Sequence, residues 1–595
     1  MRQLHSKQSL QQLLYRLWKH INPQRRLQLA ALFFLMVLAT FAEIISIGAV
    51  IPFLGVLTSP EKVYLHPFAK PFIQFLIIEE PRQLLLPLTI LFSIAAIFSG
   101  VMRLVLLYAQ TRLSHAIGAD FSINIYRRTL YQPYAIHVNR NSSEVIAGIS
   151  GKANNIVGSQ LLPVLTICSS ILMLVTILIA LIAIDPIVAV GSIVGFGSIY
   201  AFVILIAKKR LAHDSERISR ESNQVIKALQ EGLGGIRDIL IDGTQAAYCN
   251  IYRGADLPLR RAIANVQIIS GSPRYVIEAL GIMLFAVLAF FLAERSEGIA
   301  SAIPVLGALA LGAQRLLPVL QQAYSSWIAM RGGHASLRDA MDLLDQPLPS
   351  YANSSAPIPI KFQQNIVLDS LAFRYSEQTP WVLKGVSLTI QKGSRVGFMG
   401  STGSGKSTLL DIVMGLLAPS EGSMSIDGVT ITQNNHRMWQ AHIAHVPQAI
   451  FLADTTIGEN IAFGVPAKQI DFDRMRQAAQ KAQIAETIEG WDKKYDTLVG
   501  ERGVRLSGGQ RQRIGIARAL YKQADVIVFD EATSALDGET ESAVMQAIEG
   551  LSNDITLIIV AHRLTTLKNC NSVVELAEGK IKRCGTYQEI INAAD

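Results

Sequence analysis

The chain has 595 residues, too many for a single hydrophobic core, so at least two domains are expected. Half of the residues are apolar and only 17% are charged, which is too apolar for an ordinary soluble protein and too polar for one that lies wholly in a membrane. The net charge of +8 does not indicate a nucleic-acid partner, because the basic residues are concentrated beside apolar segments, as membrane topology requires.

The N-terminal segment, residues 1–26, predicts a cytoplasmic elbow at the membrane interface. Within it, residues 8–20 place leucines and a tryptophan against basic side chains in the pattern of a surface helix. The apolar run that follows is too long for the core of a signal peptide and shows no small-residue cleavage site. We therefore expect the elbow to remain uncleaved.

Six apolar stretches are long enough to cross a hydrocarbon core of about 30 Å as helices, at about 1.5 Å per residue. They lie near residues 27–57, 84–109, 158–184, 187–207, 276–294 and 299–329. The connections 110–157 and 208–275 are long, basic and helical in pattern, so the positive-inside rule places them in the cytoplasm with both termini. We expect an all-α transmembrane domain over 27–329, with six spans, tight turns at 185–186 and 295–298, and two long cytoplasmic loops.

Three arginines fall within or beside these stretches: Arg103, Arg274 and Arg315. An ionisable side chain at the bilayer centre costs roughly 2.5–3.5 kcal/mol, so each predicts either a functional site or a buried partner. In the structural interpretation, Glu43 or Glu278 pairs with Arg103 or Arg315, and Arg274 extends its charge towards the interface from near a helix end. In the functional interpretation, the guanidinium groups bind the phosphate of an anionic cargo, because their planar fork matches a phosphate bidentately.

Residues 330–357 lose the apolar periodicity and then gain proline, asparagine and serine, which predicts a linker. The soluble domain is expected over 358–595. Its first motif is a short strand signal at 396–399, followed by a glycine-rich loop and a helix signal at 409–417. This strand, loop, helix order predicts an α/β P-loop domain.

The glycine-rich loop has the composition that binds the phosphates of ATP. Its glycines let backbone N–H groups approach the phosphates, and the following helix adds its partial positive charge. Lys406 is expected to pair with the β- and γ-phosphates and Ser407 to bind Mg²⁺. The predicted nucleotide-binding residues here are Gly400, Ser401, Thr402, Gly403, Ser404, Gly405, Lys406, Ser407 and Thr408.

A second strand signal, at 526–529, delivers Asp530 and Glu531 to the end of a parallel strand, where ligands bind in open α/β sheets. Asp530 is expected to hold Mg²⁺ through water, and Glu531 to polarise the attacking water. The alternative is that the acidic pair only begins a helix, where carboxylates favour the helix dipole. The glycine-rich loop favours the catalytic interpretation.

The sequence Leu-Ser-Gly-Gly-Gln at 506–510 resembles the signature of ATP-binding cassette (ABC) proteins, and the resemblance covers essentially the whole chain. It implies that the signature binds the γ-phosphate of a nucleotide held by a second subunit, so that the functional unit is a homodimer. Other matching motifs imply adenine stacking by Tyr375, a place in the coupling loop with a metal-binding and catalytic role for Gln448, nucleotide contact by Asp537 and catalysis by His562. Each of these residues also has an ordinary interpretation as a strand, surface or strand-end side chain. The signature residues carried over are Ser507, Gly508, Gly509 and Gln510.

The Gly-Glu-Arg-Gly run at 500–503 resembles the exporter-type loop of the same family, which implies an exporter. In the membrane half, residues 41–53, 272–274 and 314–318 are similar to PglK-type flippases of lipid-linked oligosaccharides, which implies that the three arginines contact substrate. The resulting expectation is a flippase for a lipid-linked oligosaccharide or related phosphate-bearing glycolipid in a bacterial inner membrane, with the cassette in the cytoplasm. A general lipid or multidrug exporter is the alternative.

Overall fold

The computed structural model describes residues 8–58, 60–65, 67, 70–75, 77–184, 186–293, 299–353, 357–531, 542, 545–546, 548–561 and 564–592. The chain divides into two compact units. The first comprises Met1–Gln132 and Arg140–Pro349, and the second comprises Pro133–Asn139 and Ser350–Asp595.

The described part of the first unit is helical. Its helices, in chain order and with α6 of the second unit included for numbering, are α1 (Leu10–His20), α2 (Pro23–Thr58), α3 (Pro60–Tyr64), α4 (Lys70–Phe75), α5 (Leu85–Leu130), α6 (Tyr134–Val138), α7 (Ser142–Ile146), α8 (Ala153–Ile156), α9 (Leu162–Ile184), α10 (Pro186–Gly234), α11 (Ile236–Ile241), α12 (Gln245–Ala293), α13 (Ile299–Gly332) and α14 (His334–Leu344). Two π-helical turns, Ala147–Lys152 and Val157–Leu161, flank α8.

The predicted spans coincide largely with parts of α2, α5, α9, α10, α12 and α13, and the predicted helical extensions into the long loops are also observed. Among the described residues, three segments are long and apolar enough to cross a membrane: Pro23–Leu57, Pro81–Leu130 and Ser142–Ile179. The helical nature of the first unit is therefore confirmed, and the number of six spans stays a prediction. Residues 185 and 294–298, which contain most of the two predicted tight turns, lie outside the described part of the chain.

Helix α1 forms within the predicted elbow. Its first turn is capped reciprocally, because the Ser9 hydroxyl accepts the Gln12 N–H at 3.3 Å and the Gln12 side chain accepts the Ser9 N–H at 3.0 Å. Leu13 and Leu17 are buried in a cluster with residues of α5, whereas Trp18 is exposed. The helix is thus amphipathic as predicted, and its position at a membrane interface stays a prediction.

The predicted linker over 330–357 is wrong for its first half. Helix α13 continues to Gly332, and α14 follows with Leu337, Ala340, Met341 and Leu344 buried. These residues have the i, i+3, i+4, i+7 spacing of a packed helix face. The prediction relied on the proline, asparagine and serine residues that begin at Pro347 and overlooked the helical spacing of these apolar residues.

Replacing Met341 by alanine tests the packed helix. Met341 is 0% exposed, so the change is expected to lower the free energy of unfolding by about 2–5 kcal/mol through lost apolar contacts and a residual cavity. The neighbouring Asp342, whose side chain is 46% exposed, provides the control: Asp342→Ala is expected to cost about 1 kcal/mol or less. Thermal unfolding of the purified protein measures both changes. If Met341→Ala leaves the free energy of unfolding unchanged, the segment behaves as the linker that the sequence predicted.

The described part of the second unit contains two sheets. Its strands are β1 (Asn365–Phe373), β2 (Leu383–Gln391), β3 (Arg395–Met399), β4 (Glu421–Ile426), β5 (Val429–Thr430), β6 (Ile443–Val446), β7 (Val526–Asp530), β8 (Thr556–Val560), β9 (Ser572–Ala577) and β10 (Lys580–Gly585). The antiparallel sheet has the order β2-β1-β4-β5, and the six-stranded sheet has the order β10-β9-β3-β8-β7-β6. The helices of this unit are α6, α15 (Lys406–Val413), α16 (His436–Gln440), α17 (Ile457–Ile461), α18 (Phe472–Lys481), α19 (Ala485–Glu489), α20 (Gly508–Tyr521) and a last helix, Tyr587–Asn592.

Strands β3, β8, β7 and β6 are parallel neighbours, so their carboxyl ends lie at one edge of the larger sheet. Their apolar residues, among them Phe398, Val528 and Ile558, are buried on both faces, as is typical of parallel strands covered by helices. Both predicted strands are confirmed. The predicted helix at 409–417 is α15, which begins three residues earlier and ends at Val413.

Candidate nucleotide and substrate sites

The loop between β3 and α15 is held in a conformation that requires glycine. Gly400 has φ 147° and Gly405 has φ 101°. A Cβ atom at Gly400 would lie 2.2 Å from the carbonyl oxygen of Leu576, and one at Gly405 would lie 2.8 Å from the Leu383 side chain. The loop therefore leaves no room for side chains at these two positions, as a close-fitting phosphate cradle requires.

Lys406 begins α15 and folds back into the loop. Its ammonium donates hydrogen bonds to the carbonyl oxygens of Gly400 at 2.7 Å and Ser401 at 3.0 Å, and the residue is only 7% exposed. The buried hydroxyl of Ser404 has no hydrogen-bond partner among the described residues, and Ser407 is exposed at the same helix end. An ammonium, a free hydroxyl and a helix N-terminus fit a triphosphate with its metal ion.

Tyr375 lies directly beside this loop. Its hydroxyl shares a hydrogen bond with the Thr408 hydroxyl at 3.2 Å, and its ring meets the edge of Phe373 at 5.0 Å. The tyrosine is 40% exposed, which leaves part of the side chain accessible. The structure thus brings Tyr375 to the phosphate loop, and its stacking on adenine stays a prediction.

The acidic pair lies at the carboxyl end of β7, where Asp530 is the last strand residue and Glu531 follows it. This end belongs to the same sheet edge as the end of β3, where the phosphate loop begins. Glu531 has φ 52°, a left-handed conformation that is uncommon outside glycine, and strain of this kind is concentrated at functional sites. Its N–H donates to the carbonyl of Val560 at 3.0 Å, and its carboxylate accepts the Gln448 side-chain N–H at 2.9 Å. Two predicted catalytic residues are therefore in direct contact.

Asp411 lies on α15 and was not predicted from the sequence. Burial, reinforced by the carboxylate of Asp530, raises the pKa of Asp411 to about 6. The interaction indicates that Asp530 faces the helix that carries the phosphate loop. A lone aspartate within an apolar helix gave no signal by which sequence reasoning could identify it.

The signature begins α20. Ser507 caps this helix: its hydroxyl accepts the Gln510 N–H at 3.2 Å, and the Gln510 side chain accepts the Ser507 N–H at 2.9 Å. One turn further, Gln512 donates to the carbonyl of Gln448 at 2.9 Å. This bond, which the sequence did not reveal, joins the signature helix to the segment that contacts Glu531. Contact of Ser507 and Gly509 with a second subunit's nucleotide stays a prediction.

Two predicted residues of the nucleotide site, Asp537 and His562, lie outside the described residues. Strand β8 ends at Val560, two residues before His562 and next to β7. Their assigned roles remain predictions.

The predicted substrate arginines are partnered by carboxylates where the structure describes their side chains. Arg103 Nε lies 3.4 Å from Glu43 Oε2, and Glu43 also accepts the Ser99 hydroxyl. Arg274 Nε lies 2.7 Å from Glu278 Oε1 on the next turn of α12. The side chain of Arg315 lies outside the described side chains. The predicted pairing is thus observed for Arg103 with Glu43, and the pair of Arg274 with Glu278 was not predicted; the two arginine side chains remain 43% and 62% exposed.

Both pairs line cavities of the first unit. Arg274 and Glu278 border a cavity of about 260 Å³ with Tyr200 and Gln321. Arg103 and Glu43 border a cavity of about 370 Å³ between α2, α5, α9 and α13. These volumes lie near the lower end of the range for small-molecule sites, about 300–1,000 Å³.

Comparison with known proteins gives consistent results for both units. A family model described as ABC transporter matches residues 383–534, and one described as ABC transporter transmembrane region matches residues 29–298. An ATP-dependent lipid A-core flippase of Cupriavidus metallidurans is 26% identical over 497 residues, which cover 83% of each chain. The flippase of the same description from Chromohalobacter salexigens is 33% identical over 391 residues, covering 65% of this chain and 66% of its own.

Among solved structures, a bacterial Atm1-family ABC exporter with ATP bound is similar, with a TM-score of 0.77 over 97% of both chains. At 23% identity this likeness shows the fold. It confirms the predicted order of a helical transmembrane domain followed by an α/β cassette.

Proposed function

The chain belongs to the ABC transporter family with the exporter arrangement, and from that premise we propose that it is a homodimeric flippase for a phosphate-bearing glycolipid. It is an ATPase whose hydrolysis is coupled to transport through a membrane-spanning domain. The proposed cargo is a lipid-linked oligosaccharide or a related glycolipid, moved from the cytoplasmic to the outer side of a bacterial inner membrane. Relatives described as lipid A-core flippases support a lipid cargo.

The observation that carries the phosphate is the position of Arg103. Its guanidinium borders a cavity of the first unit and stays 43% exposed although Glu43 is beside it. A guanidinium has five N–H donors, and one carboxylate at 3.4 Å does not use them all. The remaining donors suit a phosphate that enters a low-dielectric path.

At the nucleotide, the chain's own residues divide the work. The glycine-rich loop and Lys406 hold the phosphates, and Glu531, oriented by Gln448, accepts a proton from the attacking water. Ser407, Asp530 and Gln448 would hold Mg²⁺, which neutralises phosphate charge when bound. The signature of a second copy of the chain would complete the site, so that ATP binding closes the dimer and hydrolysis reopens it.

Translocation by purified protein tests the function. The protein is reconstituted in liposomes with a polyprenyl-pyrophosphate oligosaccharide, and the outer and inner pools of lipid are measured with ATP, without ATP and with the Glu531→Gln variant. ATP-dependent movement that the variant lacks would support the proposal. Healthy ATP turnover with no movement of any phosphate-bearing glycolipid would refute it.

The role of Arg103 is separable from its pairing with Glu43. Arg103→Gln is expected to lower glycolipid translocated per ATP by about 10-fold, which corresponds to the loss of one charged hydrogen bond of about 1.4 kcal/mol. The double variant Glu43→Gln with Arg103→Gln removes the ion pair as a unit, and it is expected to be equally impaired. If the double variant recovers transport, the arginine serves only to neutralise Glu43. Arg260→Gln, which removes an exposed pair with Asp256 on α12, is the control.

A general lipid or multidrug exporter remains a second candidate, because both described arginines have carboxylate partners within the chain. In that case apolar compounds would stimulate ATP turnover without any requirement for phosphate. Comparing a phosphate-bearing lipid with its dephosphorylated form distinguishes the two candidates.

A further inference from the structure

The cavity between α2, α5, α9 and α13 is built from one face of each helix. Its residues on α2 are at 36, 39, 40 and 43, those on α5 at 103, 106, 107 and 110, and those on α9 at 166, 169, 170 and 173. Each set has the i, i+3, i+4, i+7 spacing of a single helical stripe. Each stripe contains polar residues as well as apolar ones, so the four helices form a polar pocket within a membrane domain.

Two side chains that line the cavity require a partner. The amide nitrogen of Gln110 and the hydroxyl of Ser170 are buried, and neither has a hydrogen-bond partner among the described residues. The two residues are 8% and 3% exposed. A buried polar atom without a partner costs about 1–3 kcal/mol, so the cavity favours an occupant that can accept a hydrogen bond from Gln110.

Other lining hydroxyls have already donated their protons. The hydroxyls of Thr40, Thr166, Ser169 and Ser325 donate to backbone carbonyls of their own helices at 2.8–3.2 Å. Their oxygens can then only accept hydrogen bonds from a ligand. The ionised residues that line the cavity, Arg103 and Glu43, form a pair and add no net charge.

An occupant must therefore both accept and donate hydrogen bonds. A phosphate accepts but offers few donors to the four hydroxyl oxygens, and an ammonium donates but cannot accept from Gln110. A sugar hydroxyl does both. We propose that this cavity binds the sugar of a glycolipid head group; the proposal rests on the proposed flippase function and assigns the sugar to Gln110 and Ser170, in the same cavity as the Arg103 proposed for the phosphate.

The double variant Gln110→Leu with Ser170→Ala tests the site. Protein in nanodiscs is titrated with diglycosyl diacylglycerol, phosphatidic acid or phosphatidylethanolamine, and the half-saturating concentration for stimulated ATP turnover is measured relative to the same variant's turnover without probe. The variant is expected to raise that concentration at least about 10-fold for the glycolipid, the effect of about 1.4 kcal/mol. The response to phosphatidic acid is expected to change less than about 2-fold. Ser93→Ala, at an exposed position of α5, is the control and leaves all responses unchanged.

Three outcomes would overturn the proposal. One is no response of the unmodified protein to the glycolipid, another is a shift of less than about 2-fold in the variant, and the third is an equal shift for phosphatidylethanolamine. If only water fills the cavity, we expect a shift of less than about 2-fold in the variant. The melting temperature of the variant should then rise, because unpaired polar atoms have been removed. If the double variant does not fold, Ser170→Ala alone removes one hydroxyl and is expected to give about a 3-fold shift.

This test separates the inference from the proposed function. A protein that responds to the neutral glycolipid through Gln110 and Ser170 but moves no phosphate-bearing glycolipid would refute the phosphate cargo and retain the sugar site. A protein that moves the phosphate-bearing glycolipid but shows no dependence on Gln110 and Ser170 would refute the sugar site alone.

Discussion

Replacing Glu531 by glutamine is expected to lower ATP turnover by roughly 10²- to 10⁴-fold, the range contributed by a general base. Glutamine keeps the size and the contact with Gln448 but does not take up a proton. ATP binding is expected to persist, since Lys406 and the glycine-rich loop are unchanged. Phosphate release measures turnover, and retention of labelled nucleotide measures binding.

Glu489→Gln is the matched control for this change. Glu489 forms a surface pair with Arg476. It is distant in sequence from the strand ends that carry the nucleotide site, so its replacement is expected to leave ATP turnover within about 2-fold. Turnover of Glu531→Gln at more than about a tenth of the unmodified rate would show that another group accepts the proton. A trapped nucleotide that also holds two chains together would support the proposed homodimer.

The cassette could be predicted well because its motifs are local. A phosphate loop needs a strand, a glycine-rich turn and a helix in immediate succession, and β3 and α15 have that order. The acidic pair likewise follows its strand directly. Contacts between motifs were not readable in this way, since the bond from Gln448 to Glu531 joins residues 83 positions apart.

The membrane half was less predictable, because apolar composition locates helices without fixing their neighbours. The sequence suggested that Glu43 or Glu278 pairs with Arg103 or Arg315, but only the packing of α2 against α5 selects Arg103 for Glu43. Gln110 and Ser170 were overlooked for the same reason. Their polar stripes at helical spacing were a usable signal, although the stripes become a cavity only when four helices meet.

For helix α14 the sequence did contain a local signal for a helix, but the interpretation gave more weight to the residues that follow it. The apolar positions at 337, 340, 341 and 344 predict a helix, but the proline-rich stretch beyond them dominated the interpretation. Its packing is completed by distant groups: the Ser215 hydroxyl accepts the N–H of Ala335 at 3.0 Å, and Lys152 pairs with Asp339 at 2.6 Å. Such long-range caps and pairs leave no trace in the adjacent sequence.

Replacing Gly400 by alanine is expected to abolish ATP binding, with a loss of affinity of at least about 100-fold, or about 2.7 kcal/mol. Its φ of 147° is strained for any L-residue, and the added Cβ would lie 2.2 Å from the backbone oxygen of Leu576 on β9. A backbone oxygen within a sheet cannot rotate away as a side chain does, so the loop itself must shift from the phosphates. Nucleotide binding by the purified variant measures the effect.

Gly403→Ala is the matched control, because it separates steric closure from backbone strain. Gly403 has φ 85°, yet its added Cβ meets no atom within 4 Å among the described residues. The change is therefore expected to cost about 1–2 kcal/mol of conformational strain and to weaken ATP binding by no more than about 30-fold. If the two variants lose ATP equally, strain in the loop is the determining factor. If only Gly400→Ala loses it, the close approach of the loop to β9 shapes the phosphate cradle.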